Sequence, residues 1–378
     1  MNNRYGKQLQ QKEARIRRQF ASLLPASSEI EVFPSPAQHF RQRAEFRLWH
    51  ERNKEGKNTG EIFYAMFAAG KKAGPETLQR VANLPIASRR INELMPQLLA
   101  GIKAIPCLLQ GLFQVEFLST LRGDTLVTLI YRSALDGDWQ LAAKKLAKRL
   151  DVHLIGRSRR QKIVLSQDFV SEKLFVAGRA FHYRQIEGGF TQPNAEVCEK
   201  MLTWACQAAA DMQAKKADLL ELYCGNGNFT LPLSQYFSKV LATEVAKTSV
   251  QAARHNIAAN GCDNIAIARL SAEELTQAFS GKRQFKRLAQ DGIDVGDYHV
   301  KTIFVDPPRA GVDENTLKLM QGFENILYIS CNPDTLYDNL QTLTETHKVE
   351  RMALFDQFPY THHIEMGVWL QRRWQGTG

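Results

Sequence analysis

Over the second half of this chain, short and almost wholly apolar runs alternate with segments of helical period: "ADLLELYCG", "KVLATEVA", "IAIARL", "KTIFVDPPR" and "ILYISCNP". A strand that reads as a continuous apolar run is covered on both faces, which is the condition of a parallel sheet between two helix layers. The alternation therefore predicts an α/β fold with a doubly wound, mostly parallel sheet, entered by a helix in "AEVCEKMLTWACQAAA". Two further strands, around "RMALFDQF" and "GVWL", follow, and the last one is expected to run antiparallel. Such sheets bind ligands outside the carboxyl ends of their strands. The chemistry is sought there.

The first half has a different character. Residues 1–190 hold 31 Lys and Arg against 17 Asp and Glu, a net of +14, whereas residues 191–378 hold 18 against 22, a net of −4. That asymmetry points to a polyanion-binding half joined to a half of another purpose. With 378 residues there is material for two cores, and the organisation expected is a basic N-terminal helix over 1–28, an α+β domain over 29–185 and the α/β domain over 186–378. In "HFRQRAEFRLWH" the strand alternation puts Phe40, Gln42, Ala44, Phe46 and Leu48 on one face and Arg41, Arg43, Glu45, Arg47 and Trp49 on the other. The second face suits either phosphate and base contacts or a plain charged exterior. Further along, "RNKEGKNTG" (52–60) reads as a hairpin turn, "VHLIGRSRRQKIVL" as one basic strand, and 281–300 as a long loop.

No apolar run reaches the eighteen or so residues that cross a bilayer, and the N-terminal residues lack a signal-type apolar centre, so a cytoplasmic protein is expected. The six cysteines are scattered without metal or iron–sulfur spacing, so they are expected to be reduced thiols.

Three features of the second half carry chemistry. Gly225 and Gly227 make a tight turn after the first strand, which lets the backbone approach a ligand. Glu244 ends the next strand, where an acidic side chain accepts hydrogen bonds from ribose hydroxyls. "GNGNF" is too short and bulky for a dinucleotide pyrophosphate, so the turn suits a nucleoside without phosphates, namely S-adenosylmethionine. In "IFVDPPRAG", Asp306 ends a strand and points to the same crevice. Amino-group methyltransferases follow Pro-Pro with an aromatic, but here Arg309 follows, which argues against methylation of an exocyclic amine.

Cys331, in "LYISCNPDTL", stands where an apolar strand ends and a turn begins. Taken alone it reads equally as a packed thiol and as a nucleophile. The joint set "FTQPN", "ELYCGNGNF", "DPPRAG", "ISCNPDTL" and "FPYTHHIEMGV", with "RAEFRLWH" near the start, resembles the RNA uracil-5-methyltransferases, and over nearly the whole chain their tRNA-acting branch. The resemblance implies a Rossmann-like, S-adenosylmethionine-dependent domain beside an α+β RNA-binding domain, no metal and no iron–sulfur cluster. It implies tRNA, through its T arm, as partner, and ribothymidine as product, made by a monomer. Transfer-messenger RNA, with a similar arm, stays open as a second substrate.

Uracil C5 is a poor nucleophile, and a thiolate added at C6 activates it, so Cys331 is the candidate nucleophile. By the resemblance Glu365 is the base that removes the C5 proton. Gln192, Tyr223, Asn228, Glu244 and Asp306 surround the cofactor, Asn332 and Pro333 hold the nucleophile loop, and Arg47 and Phe113 contact RNA. Phe113 reads equally as core. His362 and His363 are neighbours in an extended segment and point opposite ways, which argues against a metal. Two alternatives remain: a ribosomal RNA uracil-5-methyltransferase, and a non-catalytic RNA-binding or RNA-folding protein.

Overall fold

The computed structural model describes residues 3–24, 29–53, 55, 58–68, 70–72, 74–213, 216–279, 281 and 283–373. The break expected in "LLPASS" (23–28) and the hairpin turn of 52–60 lie partly outside the described residues. Two compact units emerge: Met1–Ala37, Lys173–Arg184 and Glu196–Gly378 form the first, and Gln38–Glu172 with Gln185–Ala195 the second. No helix among the described residues is long and apolar enough to cross a membrane.

The chain opens with helix α1 (Asn3–Phe20) and strand β1 (Ile30–Phe33), both in the first unit. Tyr5, Leu9, Ile16 and Phe20 recur at helical spacing and are buried, each contributing roughly 1.5–3 kcal/mol. The sequence-based boundary at 28 thus differs from the observed division because β1 pairs in parallel with a strand more than 300 residues away, and the one at 185 because Lys173–Arg184 belongs to the first unit and Gln185–Ala195 to the second.

The second unit is α+β. Its strands are β2 (Arg43–Arg52), β3 (Asn58–Phe67), β4 (Leu78–Arg80), β5 (Leu112–Ser119), β6 (Thr125–Tyr131), β7 (His153–Ser158) and β8 (Gln161–Val164). They form one sheet in the order β4-β3-β2-β5-β6-β7-β8. Helices α2 (Arg89–Lys103), α3 (Pro106–Leu109) and α4 (Gly137–Leu150) supply the apolar partners of Phe46, Val115 and Phe117. Along β2 the alternation holds: Ala44, Phe46 and Leu48 are buried while Glu45 and Arg47 are exposed. The stretch read as one basic strand is a hairpin, β7 and β8, turning at Arg159 and Arg160.

A two-stranded hairpin of β9 (Phe169–Val176) and β10 (Arg179–Ile186) follows, then α5 (Ala195–Asp211). The first unit continues with β11 (Asp218–Leu222), α6 (Thr230–Leu233), β12 (Val240–Thr243), α7 (Lys247–Asn260), β13 (Ile265–Ala268) and α8 (Ala272–Phe279). After α9 (Lys286–Gln290), a short helix inside the expected loop, come β14 (Val300–Val305), α10 (Glu314–Met320), β15 (Asn325–Ser330), α11 (Pro333–Leu343), β16 (His347–Phe355) and β17 (Glu365–Arg372). The sheet order is β1-β16-β17-β15-β14-β11-β12-β13. Only β17 runs against the rest, paired antiparallel with β15 and β16, as the missing connecting helix requires. The order reverses between β11 and β14, which opens a crevice at the carboxyl ends of those two strands.

Candidate active site

The glycine turn leaves β11 through three residues of positive φ: Tyr223 (61°), Gly225 (57°) and Gly227 (84°). Glycine carries that conformation freely, whereas Tyr223 is strained by it and is held in place by its surroundings. A Cβ placed on Gly225 would meet nothing within 4 Å, so the turn borders open space.

Glu244, just past β12, accepts from Gly225 N at 3.1 Å through one oxygen and from Ala246 N at 2.8 Å through the other. Each oxygen keeps a lone pair for a ribose hydroxyl. The next residue, Val245, is 60% exposed and offers apolar surface at the rim. Asn228 is tied down on both sides: its carbonyl accepts from the Tyr183 hydroxyl at 3.0 Å, and its amide lies 3.4 Å from Cys198 Sγ. Carboxylate acceptors beside a turn that borders open space fit the ribose hydroxyls of a nucleoside.

Asp306 stands at the carboxyl end of β14, where burial pushes its carboxyl up to about 7. Behind it, Glu221 of β11 is 1% exposed and pushed up to about 8 by burial, with Thr230 pulling the other way and Asp306 adding a smaller rise.

Cys331 leaves β15 one residue before the N-cap of α11. That cap, Asn332, accepts from Asp334 N at 3.2 Å, and Pro333 occupies the first helical position, where its missing N–H costs nothing. The Asn332 amide also donates to the Arg309 carbonyl at 3.2 Å, tying the cysteine loop to the loop of Asp306. β15 and β17 pair Ser330 with Met366, and one further step of that register sets Cys331 against Glu365. Glu365 is 4% exposed, and its carboxyl is held well above the usual range, by burial first and Asp306 second. A helix N-terminus favours a thiolate. Here burial and the two carboxyls win: the Cys331 thiol is pushed up to about 11, with Arg309 pulling the other way.

The first unit therefore gathers Cys331, Glu365, Asp306, Tyr223, Asn228 and Glu244 at or just past strand ends. Gln192, Arg47 and Phe113 belong to the second unit. The segment of Gln192 is fixed there to the start of β2, with Gln42 N donating to the Pro193 carbonyl at 2.8 Å. Phe113 is the extra residue of a β-bulge between β5 and β6, which keeps both Leu112 and Val115 in the core and leaves its ring half-exposed. Arg47 and Arg132 each place a guanidinium 5.3 Å from that ring.

Sequence reasoning missed Arg132, Val245 and Glu221. Only Glu221 left a signal, a lone acid inside the apolar run "DLLEL".

Residues 4–373 match the model of a family described as tRNA (Uracil-5-)-methyltransferase. The chain belongs to this family. Relatives named tRNA/tmRNA (uracil-C(5))-methyltransferase include one from Acinetobacter baylyi, 57% identical over 371 residues, covering 98% of this chain and 99% of its own. Another, from Neisseria meningitidis serogroup B, is 58% identical over 372 residues, with 98% and 99% covered. The fold is similar to that of the Pyrococcus abyssi tRNA (uracil-54, C5)-methyltransferase solved with S-adenosyl-L-homocysteine. The TM-score is 0.70 at 17% identity, over 97% of this chain and 83% of that one.

Proposed function

We propose that the protein methylates C5 of a uridine in the T loop of tRNA, forming ribothymidine, with Cys331 as nucleophile and Glu365 as base. The observation that carries this reading is the β15–β17 register. Its last pair, Ser330–Met366, brings the next residues, Cys331 and the buried Glu365, to the same end of the sheet, where burial and that carboxyl push the thiol up. The names of the relatives support tRNA, with transfer-messenger RNA as a second substrate.

Tyr223, Asn228, Glu244 and Asp306 would hold S-adenosylmethionine around the glycine turn of the first unit. When bound, that cofactor supplies an electrophilic methyl group. The Cys331 thiolate adds to C6, and the C5–C6 electron pair moves toward O4, which makes C5 nucleophilic. Once C5 is methylated, Glu365 takes the C5 proton. The C–H electron pair restores the C5–C6 double bond as the C6–S bond breaks, returning the thiolate.

The shifted acidities suit this sequence. Burial holds the Glu365 carboxyl well above the usual carboxylate range and pushes Asp306 up to about 7, and each opposes the thiolate less when it carries its proton. When Glu365 is ionised, its raised pKa makes it the stronger base. In the second unit, Arg47, Arg132 and Phe113 present charge and a ring to the RNA loop, from which the target base must be extruded.

The test is incubation with S-adenosylmethionine and a tRNA transcript containing 5-fluorouridine, whose C5 fluorine blocks the final proton removal. An RNA–protein adduct that survives denaturant, and is lost in Cys331→Ala, is the expected result. RNA binding without any adduct would overturn the covalent mechanism. An adduct with ribosomal RNA but none with tRNA would overturn the substrate.

A further inference from the structure

The N-terminal helix takes part in none of the steps above, yet it makes an unusual set of contacts. Gln8, Lys12, Arg15 and Gln19 follow one another at spacings of four, three and four, so they share one face of α1. Lys12 is 5% exposed, and its ammonium makes three hydrogen bonds: to Asp356 Oδ1 at 2.6 Å, the Phe358 carbonyl at 3.0 Å and the His363 carbonyl at 2.7 Å. Its three donors are thereby used. Arg15 donates to the His362 carbonyl at 3.2 Å and Gln8 to the Thr361 carbonyl at 2.8 Å, while Gln8 accepts from Tyr360 N at 3.3 Å. All these partners lie in the segment between β16 and β17, which ends at Glu365.

Two further observations single out this segment. Tyr360 sits at φ 63°, a strained conformation for a residue with a side chain, and such strain persists only where neighbours hold it. Farther along the helix, Gln19 donates to Asp334 Oδ1 at 2.8 Å and Phe20 packs edge-on against Tyr337, both on the helix that follows Cys331. One helix therefore grips the segments that carry both reacting side chains. A buried ion pair is a costly way to stabilise a fold, since apolar residues of similar size do as well or better. What it provides that they cannot is three directed bonds to one loop.

We propose that Lys12 is a positioning residue for proton removal: through Asp356 and the Phe358 and His363 carbonyls it fixes the loop that sets Glu365 against Cys331. The inference rests on the reading of Glu365 as the base. It separates the two halves of the reaction, because thiol addition and methyl transfer do not need Glu365 in its final place, whereas release of the adduct does.

The experiment uses the full chain with Lys12→Met/Asp356→Leu, which removes the charges together and leaves neither unpaired. Methyl transfer to a tRNA transcript in a single turnover is measured beside denaturant-resistant adduct, with Glu365→Gln as control. Expected are methyl transfer within about threefold of the wild type and adduct release slowed by about a hundredfold, the usual scale of a small misplacement. A merely structural role would lower both rates together, and that outcome, or release at the wild-type rate, overturns the proposal. If the double variant does not fold, Gln8→Ala decides. It loses two bonds to the same loop without touching a buried charge, and adduct must accumulate with an unchanged melting temperature. If Glu365→Gln itself builds up no adduct while the wild type methylates, the assignment of the base fails and this inference with it.

Discussion

Cys331 stands one position beyond the Ser330–Met366 pair, so the antiparallel register of β15 and β17 sets it against Glu365. The arrangement depends on the one reversed strand of the sheet. Were β17 parallel, its start would lie at the opposite end, and no carboxyl from it could meet a group at the end of β15. The reversal brings the last strand's first residue to the mouth where the others finish.

Removing the proposed base, Glu365, without changing its shape should therefore separate the chemical steps. Glu365→Gln keeps the size and one acceptor but cannot take the C5 proton. Turnover is expected to fall by roughly a hundredfold to ten-thousandfold, the usual contribution of a general base. A methylated, denaturant-resistant adduct should accumulate at the same time. Gel analysis of the variant with tRNA and S-adenosylmethionine checks this, and turnover lost without adduct would count against the assignment.

The thiol carries its own signature. Burial, Glu365 and Asp306 together push Cys331 up to about 11, so without cofactor it should react slowly with iodoacetamide at neutral pH. Its labelling rate, followed by mass spectrometry of the Cys331 peptide, should keep rising to about pH 11. Asp306, pushed up to about 7, is ionised by then and opposes the thiolate, and Glu365 opposes it in its ionised form. Glu365→Gln is expected to move the labelling midpoint down, and Asp306→Asn to move it down by less. A wild-type midpoint near that of a free thiol would contradict the geometry.

What was legible in the sequence follows from range. The repeating strands of the second half announce themselves because each is locally apolar and locally bounded, and Cys331, Glu244 and Asp306 could be placed at strand ends from that pattern alone. β1 could not. It has four residues, and its pairing with Met352–Phe355 leaves no local trace. The hairpin of β7 and β8 was hidden because its turn, Arg159–Arg160, has neither glycine nor proline to mark it. Glu365 looked like any acid before a strand, and only its family motif singled it out. Arg132 and Lys12 owe their roles to partners that chain folding brings near, 19 residues away for Phe113 and 344 for Asp356.

The ring of Phe113 and the guanidiniums of Arg47 and Arg132 near it make a separable statement about RNA. Arg47→Ala and Arg132→Ala should each weaken binding of any RNA and reduce the slope of log affinity against log salt by about 1 if each meets one phosphate. Phe113→Ala should leave that slope unchanged while costing about 1–3 kcal/mol on tRNA if the ring stacks on a base. Filter binding at several salt concentrations distinguishes them. A salt slope that drops with Phe113→Ala would mean the ring only holds the arginines in place.

Glu221 permits a test of the fold itself. Buried under the site, its carboxyl is pushed up to about 8, whereas in the unfolded chain it ionises near ~4.3. Between those values the native state keeps a proton that the unfolded state has released, so stability falls as pH rises through that window and levels off above it. Asp306, pushed up to about 7, acts in the same direction over a narrower range. Glu221→Gln removes the first contribution. Relative to the wild type it should gain stability at pH 8.5 and gain nothing at pH 4.5, read as a shift in the urea midpoint at each pH. A gain of equal size at both would mean that repacking, rather than ionisation, explains the difference.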